Sequence, residues 1–548
     1  MTDVFEKPSV ERLVTSSTYM MGFSVLAGVM GWIFLVVASR TDIGVGDELL
    51  GFFTTAMALN IIGTCVAGGF NQSIAKYISE SLVDSKEKAL IYAKSGFFIC
   101  NLIGIIFFGI FFVVAIWLFP HNLEYGIIFG LMSLIYYFNF FHSNFRGNLA
   151  AVHRFDYIGK ILFAGGLVSG GVAFIILFLV PEPTNAVLLP LMLVLNPIVQ
   201  IILTVLYGKK VIPYSLRSIF KGGQRAEMIQ IFRYGVYCTI PNIIFTGAIL
   251  WIQTLWYSGL LGVATTVVSA NGVIIAYASV ALAICQIGAP QVPAISEAKA
   301  MNDYKLIDNY MKNTLHNGFN MTVFLLTVYI GLSYIILEFL HGPEYTFAHI
   351  PFILLSVAVA ILGVEFLVCT LLMGLGKGRK AAILILILTL IQIFLVPILV
   401  IYFNNVLGLE ASLYAGPLSL LISSLAIFPV AFYYMKRYTH NPAKMYLAIL
   451  GKATVSMILT LLCFGLFELF VFPHSTSIID IVIGMFVRGT ILFSFFLIFM
   501  LIFAGLNDTD LDLYLKYLGP FRFLLKPLRW LLHHSPFYKE EELVSNKG

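Results

Sequence analysis

The chain has 548 residues, of which 59% are hydrophobic and only 11% are charged. Soluble domains carry roughly 25% charged residues, so this composition excludes an ordinary soluble enzyme or binding module and indicates a membrane protein. The net charge of +5 is modest, and without a basic arm or a recognisable motif it does not indicate nucleic-acid binding.

Hydrophobic stretches of about 20 residues, the length that crosses a bilayer, recur along the chain. They begin near Ser17, Gly46, Tyr92, Tyr125, Lys160, Ala186, Tyr234, Val263, Leu315, Ile350, Ala381, Glu410, Met445 and Ile478. The sequence therefore predicts an all-α, polytopic membrane protein with about 14 transmembrane helices.

The positive charges lie almost entirely on one side of this topology. When the loops are assigned alternately to two faces, 31 of the 33 Lys and Arg residues fall on the face that carries both termini. The two exceptions are Arg40, in a loop on the other face, and Arg488, inside the last segment. Because cytoplasmic loops collect Lys and Arg, we predict a multi-pass protein of the cell membrane with cytoplasmic N- and C-termini.

Two halves of the chain share markers in the same order. Residues 78–80 and 295–297 both read Ile-Ser-Glu and follow the second and eighth segments, and Gly147 and Gly374 follow the fourth and tenth. These markers indicate two parallel six-helix lobes related by an axis along the membrane normal, with a cavity between them. We predict an N-lobe over 1–207, a cytoplasmic linker over 208–232, a C-lobe over 233–437, helices 13 and 14 over 438–506 and a cytoplasmic amphipathic tail over 507–548.

Motifs of catalysis are absent from the sequence. It contains no Walker A loop, no HExxH and no GxGxxG after a strand, and its six Cys residues have no metal-ligand spacing. We therefore expect no enzyme, no metal and no organic cofactor. A non-transporting membrane scaffold and an enzyme acting on a lipid-linked sugar remain alternatives, and the lack of an acid-rich loop argues against the enzyme.

Three runs of sequence carry a family resemblance: GGFNQSIAKYISES (68–81), FRGNLAAVHRFDYIGK (145–160) and LLMGLGKGRK (371–380). They resemble the polysaccharide flippases of the multidrug/oligosaccharidyl-lipid/polysaccharide (MOP) exporter superfamily. The resemblance implies a flippase that moves a lipid-linked oligosaccharide from the cytoplasmic to the outer leaflet by alternating access. A cation-coupled multidrug or metabolite exporter of the same superfamily is the alternative, and the two additional C-terminal helices favour the flippase.

The same resemblance implies its partners. These are a polyprenyl- or dolichyl-linked oligosaccharide, membrane lipids and glycan-assembly enzymes. Relatives that carry diphosphate-linked substrates often place Arg in the first helix, whereas here the first segment has no Arg before Arg40.

Charged residues at bilayer depth are costly and usually face a cavity or a partner. Glu365 lies about 15 residues into segment 10, which suits either an ion-coupling site or a hydrogen-bonded structural carboxyl. Arg488 either pairs with Glu468 across the last helix hairpin or contacts a lipid phosphate.

Polar residues near the cytoplasmic end of segment 4 are substrate-binding candidates. They are His142, Asn144 and Arg146. The planar fork of Arg146 suits phosphate oxygens, although an ordinary positive-inside anchor is the alternative.

Six amides complete the candidate substrate site. They are Asn71, Gln72, Asn242, Gln253, Gln286 and Gln291. Such amides bond either sugar hydroxyls or neighbouring helices. Pro241 frees backbone groups in segment 7, so we predict that this helix is kinked there.

Overall fold

A computed structural model describes most of the chain. The described residues are 46–121, 123–179, 191–220, 222–262, 265–285, 288, 290–471, 478–503, 505–506 and 525–535, with ten positions between 16 and 37.

Seventeen α-helices and no strand are present in the described residues. The first nine are α1 (Gly46–Asp84), α2 (Lys86–Leu118), α3 (Leu123–Ala151), α4 (Phe155–Leu179), α5 (Leu191–Val211), α6 (Leu216–Ile219), α7 (Arg225–Phe245), α8 (Ala248–Leu261) and α9 (Thr266–Cys285). The others are α10 (Gln291–Ala300), α11 (Tyr304–Leu340), α12 (His349–Gly374), α13 (Gly378–Leu407), α14 (Ala415–Tyr438), α15 (Ala443–Val471), α16 (Ile478–Ile502) and α17 (Leu525–His533).

The all-α polytopic fold is confirmed. Among the described residues, ten helices are long and apolar enough to cross a membrane, and α7 with α8 forms an eleventh, bent candidate. The predicted segments 4 and 8 correspond to α3 and to the shorter α9, and most of segment 1 lies outside the described residues. The count of 14 stays a prediction.

Segment 7 is bent, but at a different residue from the one predicted. The axes of α7 and α8 meet at 71°, and Gly247 occupies the left-handed region with φ +73°. Pro241 lies inside the continuous helix α7. The bend falls at Gly247 because glycine adopts this backbone conformation without a steric penalty. The predicted linker before this segment is partly helical, since α5 extends to Val211 and α7 begins at Arg225.

The helices that follow the two Ile-Ser-Glu markers begin with similar caps. The Ser85 hydroxyl accepts a hydrogen bond from the Lys88 amide at 3.2 Å as α2 begins. The Asp303 carboxylate accepts one from the Leu306 amide at 2.9 Å as α11 begins. Both side chains satisfy donors that the first helical turn leaves unpaired, so each Ile-Ser-Glu marker is followed by a helix break and a capped restart.

The chain divides into two compact units. One contains Met1–Gly318 and Ile336–His440, and the other contains Phe319–Ile335 and Asn441–Gly548. In the first unit, α1 packs against α2 and α3 as well as against α7 and α8, while α12 packs against α9 and α14. In the second unit, side chains of α15, α16 and α17 pack with the middle of α11 in one apolar cluster. Within the described residues, α17 is the one helix that belongs to the predicted amphipathic tail, residues 507–548.

Two glycines at the paired markers permit close helix packing. A Cβ at Gly374 would lie 2.6 Å from the Ile295 Cβ, and a Cβ at Gly147 would lie 2.9 Å from the Ile74 Cγ2. Small residues let transmembrane helices approach in this way. Each glycine therefore brings one helix of its half onto the helix that carries the Ile-Ser-Glu marker.

Substitution of these glycines tests the packing. We expect Gly147→Ala and Gly374→Ala to lower the thermal unfolding midpoint of the detergent-solubilised protein, because overpacking costs about 1–3 kcal/mol. Gly451→Ala is the control, since no atom lies within 4 Å of a Cβ built there. Equal midpoints for all three variants would contradict the proposed contacts.

Candidate functional site

A polar cavity of about 200 Å³ lies among α1, α3, α4 and α5, with one contribution from the residue after α7. Its polar lining consists of Asn60, Thr64, Asn71, Asn139, His142, Ser143, Arg146, Asn196, Gln200 and Thr246. No Asp or Glu is present among these described lining residues. Amides, hydroxyls and one guanidinium therefore define the chemistry of the cavity.

Helical spacing brings these side chains to the cavity. Asn60, Thr64 and Asn71 are four and seven residues apart on α1, and Asn139 and Arg146 are seven residues apart on α3. Residues at such intervals lie on one face of a helix. Each helix thus directs a row of polar side chains into the cavity.

Arg146 is the only fully charged side chain of the described cavity lining. None of the ion pairs between described residues includes it. A guanidinium stays protonated in proteins and presents five donors. The cavity therefore holds a positive charge whose counter-charge is not supplied by a described side chain.

A hydrogen-bonded chain connects α3 and α5 beside the cavity. The Thr204 hydroxyl donates to the Gln200 carbonyl at 2.6 Å, so its oxygen accepts from His142 Nε2 at 2.9 Å. A neutral imidazole satisfies this pattern with its proton on Nε2. The Gln200 side-chain amide donates to Asn196 Oδ1 at 2.6 Å, and Gly165 leaves room for both amides, because a Cβ there would lie 2.5 Å from Asn196 Oδ1.

Three predicted substrate ligands come together in this cavity. Asn71, His142 and Arg146 line it. Asn144, on the same helix, points elsewhere: its Oδ1 lies 3.0 Å from a Cβ built at Gly96 on α2. Asn144 is fully buried, and neither of its side-chain polar atoms has a hydrogen-bond partner.

Gln72 and Asn242 connect the two halves of the chain. Gln72 Nε2 donates to Asn242 Oδ1 at 3.3 Å, and Asn242 Nδ2 donates to the Cys65 carbonyl at 2.7 Å. Neither residue lines the cavity described above. In this conformation both amides bond neighbouring helices.

The remaining amide candidates lie in the second half of the chain. Gln291 accepts a hydrogen bond from the Thr370 hydroxyl at 2.5 Å. Gln253 is fully buried, its side-chain amide has no hydrogen-bond partner, and it contacts Gly416, where a Cβ would lie 1.8 Å from Gln253 Oε1. Gln286 lies outside the described residues.

Glu365 is fully buried in α12. Neither of its carboxyl oxygens has a hydrogen-bond partner, and α12 packs against α9, α10 and α14. An unpaired carboxylate in such surroundings is costly, so the neutral acid is the form that this conformation favours. Among the described residues, no group of three His, Cys, Asp or Glu side chains is placed to hold a metal.

Arg488 pairs with Glu468 in the second compact unit. Its Nε lies 2.9 Å from Glu468 Oε1, and the two side chains are 12% and 34% exposed. Of the two alternatives expected for Arg488, the structure therefore contains the pair with Glu468.

An ionic junction lies where the N-terminal half meets α10. His153 Nε2 and Glu297 Oε2 are 2.9 Å apart, and Lys76 pairs with Glu80 at 2.7 Å. Burial lowers the pKa of Lys299, the nearby Glu80 carboxylate opposes this shift, and the charges of Lys76 and Lys377 add to it. Glu297, from the second Ile-Ser-Glu marker, thus links one half of the chain to the other.

Several lining residues were not among the sequence candidates. They are Asn60, Thr64, Asn139, Ser143, Asn196, Gln200 and Thr246. Their helical spacing within apolar segments was a usable signal, because polar residues repeated on one face of a transmembrane helix avoid lipid.

The unpaired charge of Arg146 makes a prediction about stability. We expect Arg146→Gln to raise the thermal midpoint of the ligand-free protein, because removing a half-buried charge that no described acid compensates gains about 1 kcal/mol. Arg154→Gln is the matched control and should not raise it, since Arg154 is paired with Asp156 at 2.8 Å. A lower midpoint for Arg146→Gln would instead identify Arg146 as a structural anchor.

The pair Arg488–Glu468 is tested by a double-mutant cycle. We expect Arg488→Gln to destabilise the protein by less than the about 3–5 kcal/mol of a fully buried pair, because Glu468 is partly exposed. The added substitution Glu468→Gln should recover part of that loss by removing the remaining charge. Strictly additive losses in thermal midpoint would show that the two groups do not interact.

Solved structures of MATE family transporters share this fold. The outward-facing conformation of a multidrug resistance MATE family transporter of the MOP superfamily has a TM-score of 0.57 and 12% identity, and covers 79% of this chain and 97% of that chain. The inward-facing conformation of a multidrug resistance MATE family transporter of the MOP superfamily has a TM-score of 0.54 and 12% identity. It covers 77% of this chain and 98% of that chain.

A MATE protein in complex with MaD3S has a TM-score of 0.63 and 12% identity, with 80% and 98% coverage. No family model matches the sequence, and no curated protein matches it. At these identities the likeness shows the fold alone, which is that of a multi-pass, MATE-type membrane protein.

Proposed function

We propose that the protein is a flippase that moves a lipid-linked oligosaccharide across the cell membrane, from the cytoplasmic to the outer leaflet. The observation that carries this proposal is the cavity lined by Arg146, several amides and several hydroxyls, without an acidic residue in its described lining. A guanidinium recognises phosphate oxygens, and amides and hydroxyls match sugar hydroxyls.

The same lining argues against a site for cationic drugs in this cavity. An organic cation beside Arg146 would meet a like charge in surroundings of low dielectric constant, where repulsion is strong. A cavity of about 200 Å³ is also smaller than the ~300–1,000 Å³ of drug-sized pockets. It suits the phosphate and the first sugar of a head group, with the remaining glycan and the lipid chain outside it.

Alternating access supplies the movement in this proposal. Structures with this fold exist in inward- and outward-facing conformations. In the present conformation the two halves are joined near Thr55 and Ser258, whose hydroxyls are 3.0 Å apart, and near His153 and Glu297, whose Nε2 and Oε2 atoms are 2.9 Å apart. Opening to either side requires the contacts at one of these ends to break.

We place ion coupling at Glu365. An unpaired, buried carboxyl is neutral in this conformation and can ionise only when solvent or a cation reaches it. A group that changes charge as the lobe opens couples the conformational change to an ion gradient.

Reconstitution tests the transport activity. Purified protein in liposomes is supplied with a fluorescent lipid-linked oligosaccharide, and head-group movement is scored as protection from a membrane-impermeant, sugar-modifying reagent. We expect protein-dependent movement that Arg146→Gln reduces by about tenfold or more, as loss of a charged hydrogen-bonding partner costs about 1.5–3 kcal/mol. Absence of movement with several lipid carriers, with and without an ion gradient, would refute the flippase.

Glu365→Gln separates coupling from movement. This variant keeps the shape and removes the titratable group, so we expect gradient-driven accumulation to be lost while downhill exchange of labelled lipid continues. The control is Glu468→Gln, which removes a carboxyl outside the proposed coupling site. Normal gradient-driven accumulation by Glu365→Gln, at normal expression, would remove the coupling role.

A further inference from the structure

We infer that the head group bound in the N-lobe cavity is attached to its lipid through a single phosphate, as a phosphodiester, and not through a diphosphate. This inference rests on the proposed flippase function and specifies the chemical class of its substrate. The number of positive charges that line the cavity limits how many negative charges of a substrate can be paired there.

The described cavity lining supplies one fixed positive charge, that of Arg146. His142 also lines the cavity, but its Nε2 is bonded to the Thr204 hydroxyl, which is consistent with a neutral imidazole. A second full charge on His142 would be repelled by Arg146 on the next turn of α3, since residues four apart are neighbours on a helix.

Arg146 is the one Lys or Arg residue in the described cavity lining, and two nearby cations along the chain have acidic partners. Lys76 is 5% exposed but pairs with Glu80 at 2.7 Å and does not line the cavity. Arg154 pairs with Asp156. Residues 13–39, which form most of the first hydrophobic segment, contain no Lys, Arg or His, so this segment adds no cation.

Charge matching then selects the linkage. A sugar joined to a lipid through one phosphate carries one negative charge, whereas the corresponding diphosphate diester carries two. A charge that leaves water without an oppositely charged partner is costly. The described cavity residues include one guanidinium that can pair with a negative charge of the substrate. The phosphodiester is neutralised by Arg146, whereas the diphosphate would retain an unpaired charge within the membrane.

The amides around Arg146 complete this recognition. Asn60 Oδ1 is buried without a hydrogen-bond partner and lines the cavity, so it is available to accept a bond from a sugar hydroxyl. Asn139 donates to the Thr64 hydroxyl at 3.2 Å, and both residues line the cavity. These groups are neutral and can orient the first sugar, but they do not compensate a second negative charge.

Two lipids that differ only in the linkage test the inference. The same fluorescent oligosaccharide is joined to the same polyprenol through one phosphate or through two, and initial rates of protein-dependent movement are compared in liposomes. We expect the monophosphate-linked lipid to move faster by at least about tenfold, since an unpaired buried charge costs several kcal/mol. Equal or faster movement of the diphosphate-linked lipid would overturn the inference and leave the flippase intact, whereas failure of both lipids to move would refute both.

A second cation in the cavity should change the preference. We expect Asn139→Arg to shift the ratio of the two rates toward the diphosphate-linked lipid by about tenfold, the effect of roughly 1.4 kcal/mol. Met301→Arg is the matched control, because it adds the same charge at an exposed position, 45% accessible, outside the cavity. A ratio unchanged by Asn139→Arg, in a variant that folds and moves lipid, would contradict charge matching.

Discussion

The cost of placing a charge in hydrocarbon governs the arrangement of this protein. Lys and Arg are confined almost entirely to one face of the predicted topology because few can be held at bilayer depth. Arg488, which lies within the last predicted segment, is accompanied by the acid Glu468. Arg146 departs from this pattern, since the described residues supply no counter-charge to it, and an anionic ligand would supply one.

Glu365 poses the opposite problem in the second half of the chain. Its carboxyl is buried without a hydrogen-bond partner. Protonation of the carboxyl, and not pairing with a cation, is therefore what avoids a buried charge there. One half of the chain therefore contains a positive charge that lines a cavity, and the other contains a buried carboxyl without a hydrogen-bond partner. This asymmetry is the basis for assigning substrate binding and ion coupling to different halves.

Close packing between α1 and α7 sets the geometry on which movement depends. A Cβ at Gly69 would lie 2.5 Å from the Thr239 backbone, and one at Gly68 would lie 2.2 Å from Asn242 Nδ2. Without side chains at these positions, the helices approach closely enough for hydrogen bonds such as that from Ser73 to the Ile231 carbonyl. Aromatic side chains complete this contact, since the rings of Phe70 and Tyr77 on α1 pack against those of Phe232 and Tyr234 on α7.

The sequence by itself determined the helical class, the charge asymmetry and the order of paired markers, because segment length, hydropathy and helix caps act locally. It also pointed to Arg146, His142 and Asn71 in one site. It did not separate Asn71 from Gln72, adjacent amides of which one lines the cavity and the other bonds Asn242. Only the tertiary structure decided between these roles, because an amide in an apolar helix has the same sequence pattern whether its neighbour is a cavity or another helix. The bend at Gly247, six residues after Pro241, was likewise decided by the conformation that the packed chain requires there.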